Sequence, residues 1–164
     1  MISLLFAALL QTAPASDGWE YKETANAQTG ARAASAVVRD ADSGARLVVR
    51  CDAGAESIVS VQFLPKPPLA AGTSRIVTLT LDNAKAEMAS WDFPGRGAFV
   101  GDPVTTFIYA DSFAKAKTIE IGMDGDAGQA IGAIFKGPGG DAMFRKVFAA
   151  CGREYAMPSV TAAN

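Results

Sequence analysis

The sequence predicts a mainly β, α+β fold: an antiparallel β-sandwich-like domain with two short helices, the last one tethered to the sheet by a disulfide. Three observations predict it. Short stretches alternating apolar with polar residues recur from Trp19 to Phe135, separated by turns rich in Gly, Pro and Asp. Two segments, opening at Asp102-Pro103 and at Asp141, carry helix signals instead. The two cysteines, Cys51 and Cys151, stand at the ends of a strand pattern and of the last helix pattern.

Each element has its own justification. Trp19 to Glu23 alternates aromatic and charged residues, as a half-buried strand does. A polar, Gly- and Ala-rich stretch follows, then the short strand Ala36 to Arg39. The turn Asp40-Ala41-Asp42-Ser43-Gly44 joins it to Arg46 to Cys51, which reads as a hairpin. Ser57 to Leu64 is the next strand, ended by Pro65, Pro67 and Pro68, which cannot donate to a ladder. Ile76 to Asp82 has the clearest alternation, with Val77, Leu79 and Leu81 on one face and two threonines on the other. Glu87 to Phe93 is expected to pair with it, and Ala98 to Val100 to continue it. These short connections predict an antiparallel meander.

In the second half, Asp102 is a capping acid with proline at the first helical position, so Phe107 to Ala116 is read as helix. Thr118 to Met123 and Ala130 to Phe135 are two strands around Asp124-Gly125-Asp126-Ala127-Gly128. After Gly137-Pro138-Gly139-Gly140, Asp141 to Ala150 forms a helix that lines up Met143, Phe144, Val147, Phe148 and Cys151. That face aims Cys151 at the core that Cys51 also faces.

The chain's 164 residues make room for one domain, and its 49% hydrophobic and 20% charged residues suit a buried core. A net charge of −2 with scattered basic residues argues against nucleic-acid binding. Residues 1–15 read as a signal peptide: Ile2 to Leu10 is apolar except for Ser3, and Ala13-Pro14-Ala15 has the small-x-small form of a cleavage site before Ser16. No basic residue precedes the run, so a buried N-terminal element or a different true start are the competing readings. The run is about half of the roughly 20 residues a spanning helix needs, so stable membrane insertion is not expected. The domain is then 16–152 and 153–164 a flexible C-terminal tail, in a periplasmic or secreted protein.

In such a compartment two cysteines outside any C-x-x-C motif are best read as a bridge, closing a loop of 100 residues. Two buried free thiols are the alternative, favoured if the chain is not exported. Without a single His, Ser-His-Asp and Cys-His catalysis and His-based metal sites are out of reach. No cofactor and no metal is expected. Asp124-Gly125-Asp126, with Asp40 and Asp42, could offer oxygens to calcium, but Asp and Gly also suit a β-turn on conformational grounds alone. Gly137-Pro138-Gly139-Gly140 before Arg145 and Lys146 could meet an anion, though a helix-entry turn explains it better. Arg96, in the loop after Trp91-Asp92-Phe93-Pro94-Gly95, is the candidate binding residue, because Arg and Trp are favoured where partners meet; Trp91 itself suits the core.

Several of these features, taken in order, resemble the small exported accessory proteins associated with type VI secretion, the TagO-like family. They are Trp19, Leu47-Val48-Val49-Arg50-Cys51, Ser60-Val61-Gln62-Phe63, Val77 to Asp82 and Trp91. Phe107 with Ala114 to Ile121, Ala133-Ile134-Phe135 and the helix end Ala149-Ala150-Cys151 complete the likeness, which runs from Trp19 to Cys151. Asp111-Ser112 and the long glycine-rich break depart from the pattern. The resemblance implies a non-enzymatic envelope protein that binds other envelope proteins, and it assigns no catalytic residue. Two other functions are compatible with the residues: a wall-polymer hydrolase using paired acids such as Asp92 and Asp102, and a carrier of a small apolar ligand in a barrel cavity.

Overall fold

The computed structural model describes residues 18–25 and 32–159. The apolar run and cleavage pattern of residues 1–15 lie outside the described residues. Among the described residues nine antiparallel strands form one continuous sheet: β1 (Glu20–Ala25), β2 (Arg32–Arg39), β3 (Arg46–Ala53), β4 (Ile58–Leu64), β5 (Ser74–Leu81), β6 (Glu87–Asp92), β7 (Ala98–Val100), β8 (Thr118–Asp124) and β9 (Ala130–Lys136). Helix α1 (Pro103–Lys115) links β7 to β8, and α2 (Ala142–Ala150) follows β9. The mainly β, antiparallel architecture with two helices is therefore as expected. Among the described residues no helix is long and apolar enough to cross a membrane.

The order in the sheet is β1-β2-β3-β4-β7-β6-β5-β8-β9. This corrects the expected meander, because β4 pairs with β7 and not with β5. Pro65, Pro67 and Pro68 supply no amide hydrogen to an adjoining strand, so the chain does not turn straight back. It reaches β5 three places away, and β6 and β7 then fill the gap. Ala98 to Val100 is thus a strand of its own, bridging β4 and β6.

Inward residues alternate along every long strand: Ala34, Ala36 and Val38; Leu47, Val49 and Cys51; Val59, Val61 and Phe63; Ile119, Ile121 and Met123; Ile131, Ala133 and Phe135. The sheet curls so that these faces meet. Phe63 of β4 packs edge-to-face on Phe135 of β9, 6.3 Å between ring centres. Trp19, just ahead of β1, donates its indole N–H to the Lys136 carbonyl at the end of β9 at 2.8 Å. The two ends of the strand order are therefore stitched together by one side chain.

Strand β2 begins four residues earlier than the expected Ala36. Alanine is a weak strand former, which hid Arg32 to Ser35 in the sequence. Its small side chain is what the fold uses there, since α2 lies against β2 and β3 and Ala34 and Ala36 are buried. The ring of Trp19 meets Phe144 of α2 edge-on at 5.0 Å. Phe144, Val147 and Phe148 complete the core that the strands line.

Helix α1 starts as its residues require: Asp102 accepts from the Thr105 amide at 2.8 Å, with Pro103 opening the first turn. Four residues of this helix are buried, Thr106, Ala110, Phe113 and Ala114. Tyr155 belongs to the stretch read from the sequence as a tail. Its ring packs edge-on against Phe107 of α1 at 5.3 Å and Phe148 of α2 at 5.1 Å, with the Arg145 guanidinium over its face. An aromatic slot between two helices holds it there.

Candidate functional site

Cys51 and Cys151 are bonded to each other, with Cα atoms 5.6 Å apart. The bridge joins the inward face of β3 to the C-terminal end of α2. Trp91 is buried on β6, its ring 5.1 Å from that of Tyr109 in α1, so it serves the core. Arg96 is exposed in the loop between β6 and β7.

The two carboxylates considered for hydrolysis have separate occupations. Asp92 is exposed and paired in register with Phe99 of β7. Asp102 is held by the amide and the hydroxyl of Thr105 at 2.8 and 2.7 Å. Those two hydrogen bonds lower its pKa below the ordinary carboxylate value, so it stays ionised as a cap. In the Asp124-Gly125-Asp126 turn, Asp126 accepts from the Ala70 amide at 2.9 Å and pairs with Arg75, fixing the connection between β4 and β5. Asp141 stands at the N-terminal end of α2 and pairs with Arg145 at 2.7 Å, so that helix end already faces a negative charge. Phe63, Phe93, Phe113, Phe135, Phe144 and Trp91 are wholly buried and belong to one apolar core.

A large concavity lies on the outer face of β5, β6, β8 and β9, a trough of about 740 Å³. The ladder registers explain its shape. Met88, Thr78, Gly122 and Gly132 stand in one row across the four strands, and Thr80, Glu120 and Ile134 form the next. Outward side chains of a sheet fill the space above it, and two adjacent glycines leave that space empty. Large apolar groups rim the depression: Ile76, Met88 and Ile134 are 56%, 75% and 59% exposed. Singly exposed apolar residues are ordinary; here three stand around one hollow.

Its charge is of one sign. Glu120 and Asp124 come from β8, and Asp40 and Asp42 from the turn between β2 and β3, while among the described residues no Lys or Arg lines it. Asp40 accepts from the amide and hydroxyl of Ser43 at 2.8 and 2.5 Å, which shapes this turn. The trough can therefore hold an apolar segment carrying positive charge.

Sequence reasoning passed over these residues, although a signal was present. Ile76, Met88 and Ile134 occupy the polar phase of their strands, out of step with the buried residues beside them. Gly122 and Gly132 flank the same turn at positions that antiparallel pairing brings together. Comparison of the chain with family models, with curated proteins and with solved structures finds no match.

Proposed function

We propose that this chain is an exported, non-enzymatic envelope module that binds a partner protein by taking an extended, basic and apolar segment into the trough of β5, β6, β8 and β9. The observation that carries the reading is the glycine floor, rimmed by exposed Ile76, Met88 and Ile134, with Asp40, Asp42, Glu120 and Asp124 as its charged lining among the described residues. Extended segments commonly dock along sheets, with side-chain pockets giving selectivity and opposite charge steering the encounter. The buried Cys51–Cys151 bridge and the apolar leader pattern support a place outside the cytosol, because such bridges persist in oxidising compartments. The likeness to type VI secretion accessory proteins supports an envelope assembly as the setting.

The test uses fluorescent peptides that alternate valine with lysine, or valine with glutamate. The lysine peptide is expected to bind, and Gly132→Val or Glu120→Lys to weaken it by about tenfold or more. Equal binding of both peptides, or no effect of either substitution, overturns the trough as the docking site. Export is tested separately: the protein expressed with its full leader should appear in the periplasm with a mature N-terminus near Ser16.

A further inference from the structure

We propose that a second cavity, formed by Arg39, Arg46, Lys66 and Arg96, binds a phosphate-bearing ligand. It has a volume of about 310 Å³, and its remaining lining is Gly44, Leu64, Pro65 and Pro68, with no acid among them. The four cations come from three separate segments. Arg39 and Arg46 end β2 and begin β3, Lys66 follows β4, and Arg96 lies between β6 and β7.

The fold brings them together at some cost. Arg39 and Arg46 are direct cross-strand partners, both outward on the same face, and like charges so placed destabilise a sheet. None of the four cations has an ion-pair or hydrogen-bond partner among the described residues, whereas Arg32, Arg50, Arg75 and Arg145 each have a carboxylate partner. Two nearby acids are engaged elsewhere: Glu20, along the same outer face, pairs with Lys22 at 3.0 Å, and Asp40 accepts from Ser43.

Arg96 is held at the cavity by close backbone contact. A Cβ on Gly97 would lie 2.5 Å from Leu64 Cδ2 and 2.7 Å from the Phe63 carbonyl oxygen, so only glycine lets this loop lie on the end of β4. The Lys66 chain runs over the turn at Gly44, its Cδ 3.5 Å from where a Cβ there would be.

The chemistry of the occupant follows from the charge. One carboxylate would leave most of four positive charges uncompensated. A phosphate monoester or pyrophosphate carries more charge and offers several acceptor oxygens to guanidinium forks. The same group could be presented by a soluble phosphorylated molecule or by a lipid headgroup. This site shares only the β2–β3 hairpin with the trough, so the two proposals stand or fall separately.

Inorganic pyrophosphate is the probe, titrated calorimetrically and in thermal melts at low ionic strength, with sodium chloride of matched ionic strength as the control. Binding and a rise in Tm beyond that of chloride are expected. Arg96→Gln and Lys66→Gln should each weaken binding, and Arg39→Gln/Arg46→Gln by about tenfold or more. Arg46→Gln should also raise the Tm of the ligand-free protein, because it removes a like-charge pair. Arg32→Gln, on an arginine already paired with Glu23, should leave binding unchanged. Cosedimentation with phosphatidylcholine vesicles doped with phosphatidic acid, dependent on Arg96 and competed by pyrophosphate, would identify the source as a headgroup. Pyrophosphate binding without cosedimentation would identify a soluble ligand. A Tm response no greater than that of chloride, or one that survives the double substitution, overturns the site.

Discussion

Gly122 of β8 and Gly132 of β9 are direct partners across the ladder, yet neither is glycine for want of room. A Cβ would lie 3.5 Å from the Ile131 carbonyl oxygen at Gly122 and 3.4 Å from that of Ile121 at Gly132. Both are ordinary contacts. Glycine inside a strand costs about 0.5–1 kcal/mol relative to alanine, so this pair lowers stability where packing does not require it. Gly122→Ala and Gly132→Ala are expected to raise the Tm, and the corresponding valine variants to fold and lose the trough. A fall of several degrees in the alanine variants, measured by calorimetry, would show that the glycines are structural after all.

The bridge between Cys51 and Cys151 closes a loop of 100 residues, and in the chain-entropy model such a cross-link contributes about 4.7 kcal/mol. Replacing both cysteines by alanine should lower the Tm by about 10–20 °C, and a reductant should do the same to the parent protein. Thermal melts with and without dithiothreitol check this. A reductant effect that persists in the double variant would point to a cause other than the bridge.

Tyr155 joins α1 to α2 through its ring, and its buried hydroxyl has no hydrogen-bond partner among the described residues. Tyr155→Ala should cost about 2 kcal/mol, whereas Tyr155→Phe should leave stability unchanged or raise it by about 1 kcal/mol. Burial, with the negative charges of Asp111 and Asp141 next in importance, raises the phenol pKa above its ordinary 10.0. The unfolded chain then ionises first. This contribution is complete below pH 10 and is lost as pH rises beyond it, so Tyr155→Phe should flatten the alkaline limb of a denaturation profile.

The hydrogen bond from Arg145 holds the Asp141 carboxyl below the ordinary value, and at acid pH two further groups matter, Asp102 and Asp126. Hydrogen bonds lower both below the ordinary 3.8, from the hydroxyl and amide of Thr105 in one case and from the Ala70 amide and Arg75 in the other. A carboxylate depressed by folding stabilises the protein above its unfolded value and stops doing so as pH falls toward its folded one. Asp102→Asn and Asp126→Asn should therefore lower the Tm at pH 7 and make it less dependent on pH below 4. Parallel profiles for parent and variants would remove these residues from the acid response.

Much of the local structure was legible because it is encoded within a few residues. Alternation placed β3, β4, β5, β8 and β9, and the Asp102-Pro103 pair placed the start of α1. The apolar face of α2 predicted that Cys151 would point at the core shared with Cys51. Where local chemistry was quiet, elements were missed or shortened: the alanines of β2, and the turn after β5. There Asp82 and Asn83 take positive φ, and Asp82 caps the Lys117 and Thr118 amides at 2.8 Å.

Sequence alone thus determined most of the strands and helices and the buried faces of the strongly alternating ones, since those properties follow from side-chain periodicity over a few residues. Tertiary structure decided that β7 lies beside β4, that Gly122 meets Gly132 under a rim of apolar side chains, and that Arg96 joins Arg39, Arg46 and Lys66. Pairing between distant strands depends on how the whole curled sheet buries its inner face. No short stretch of residues contains that information.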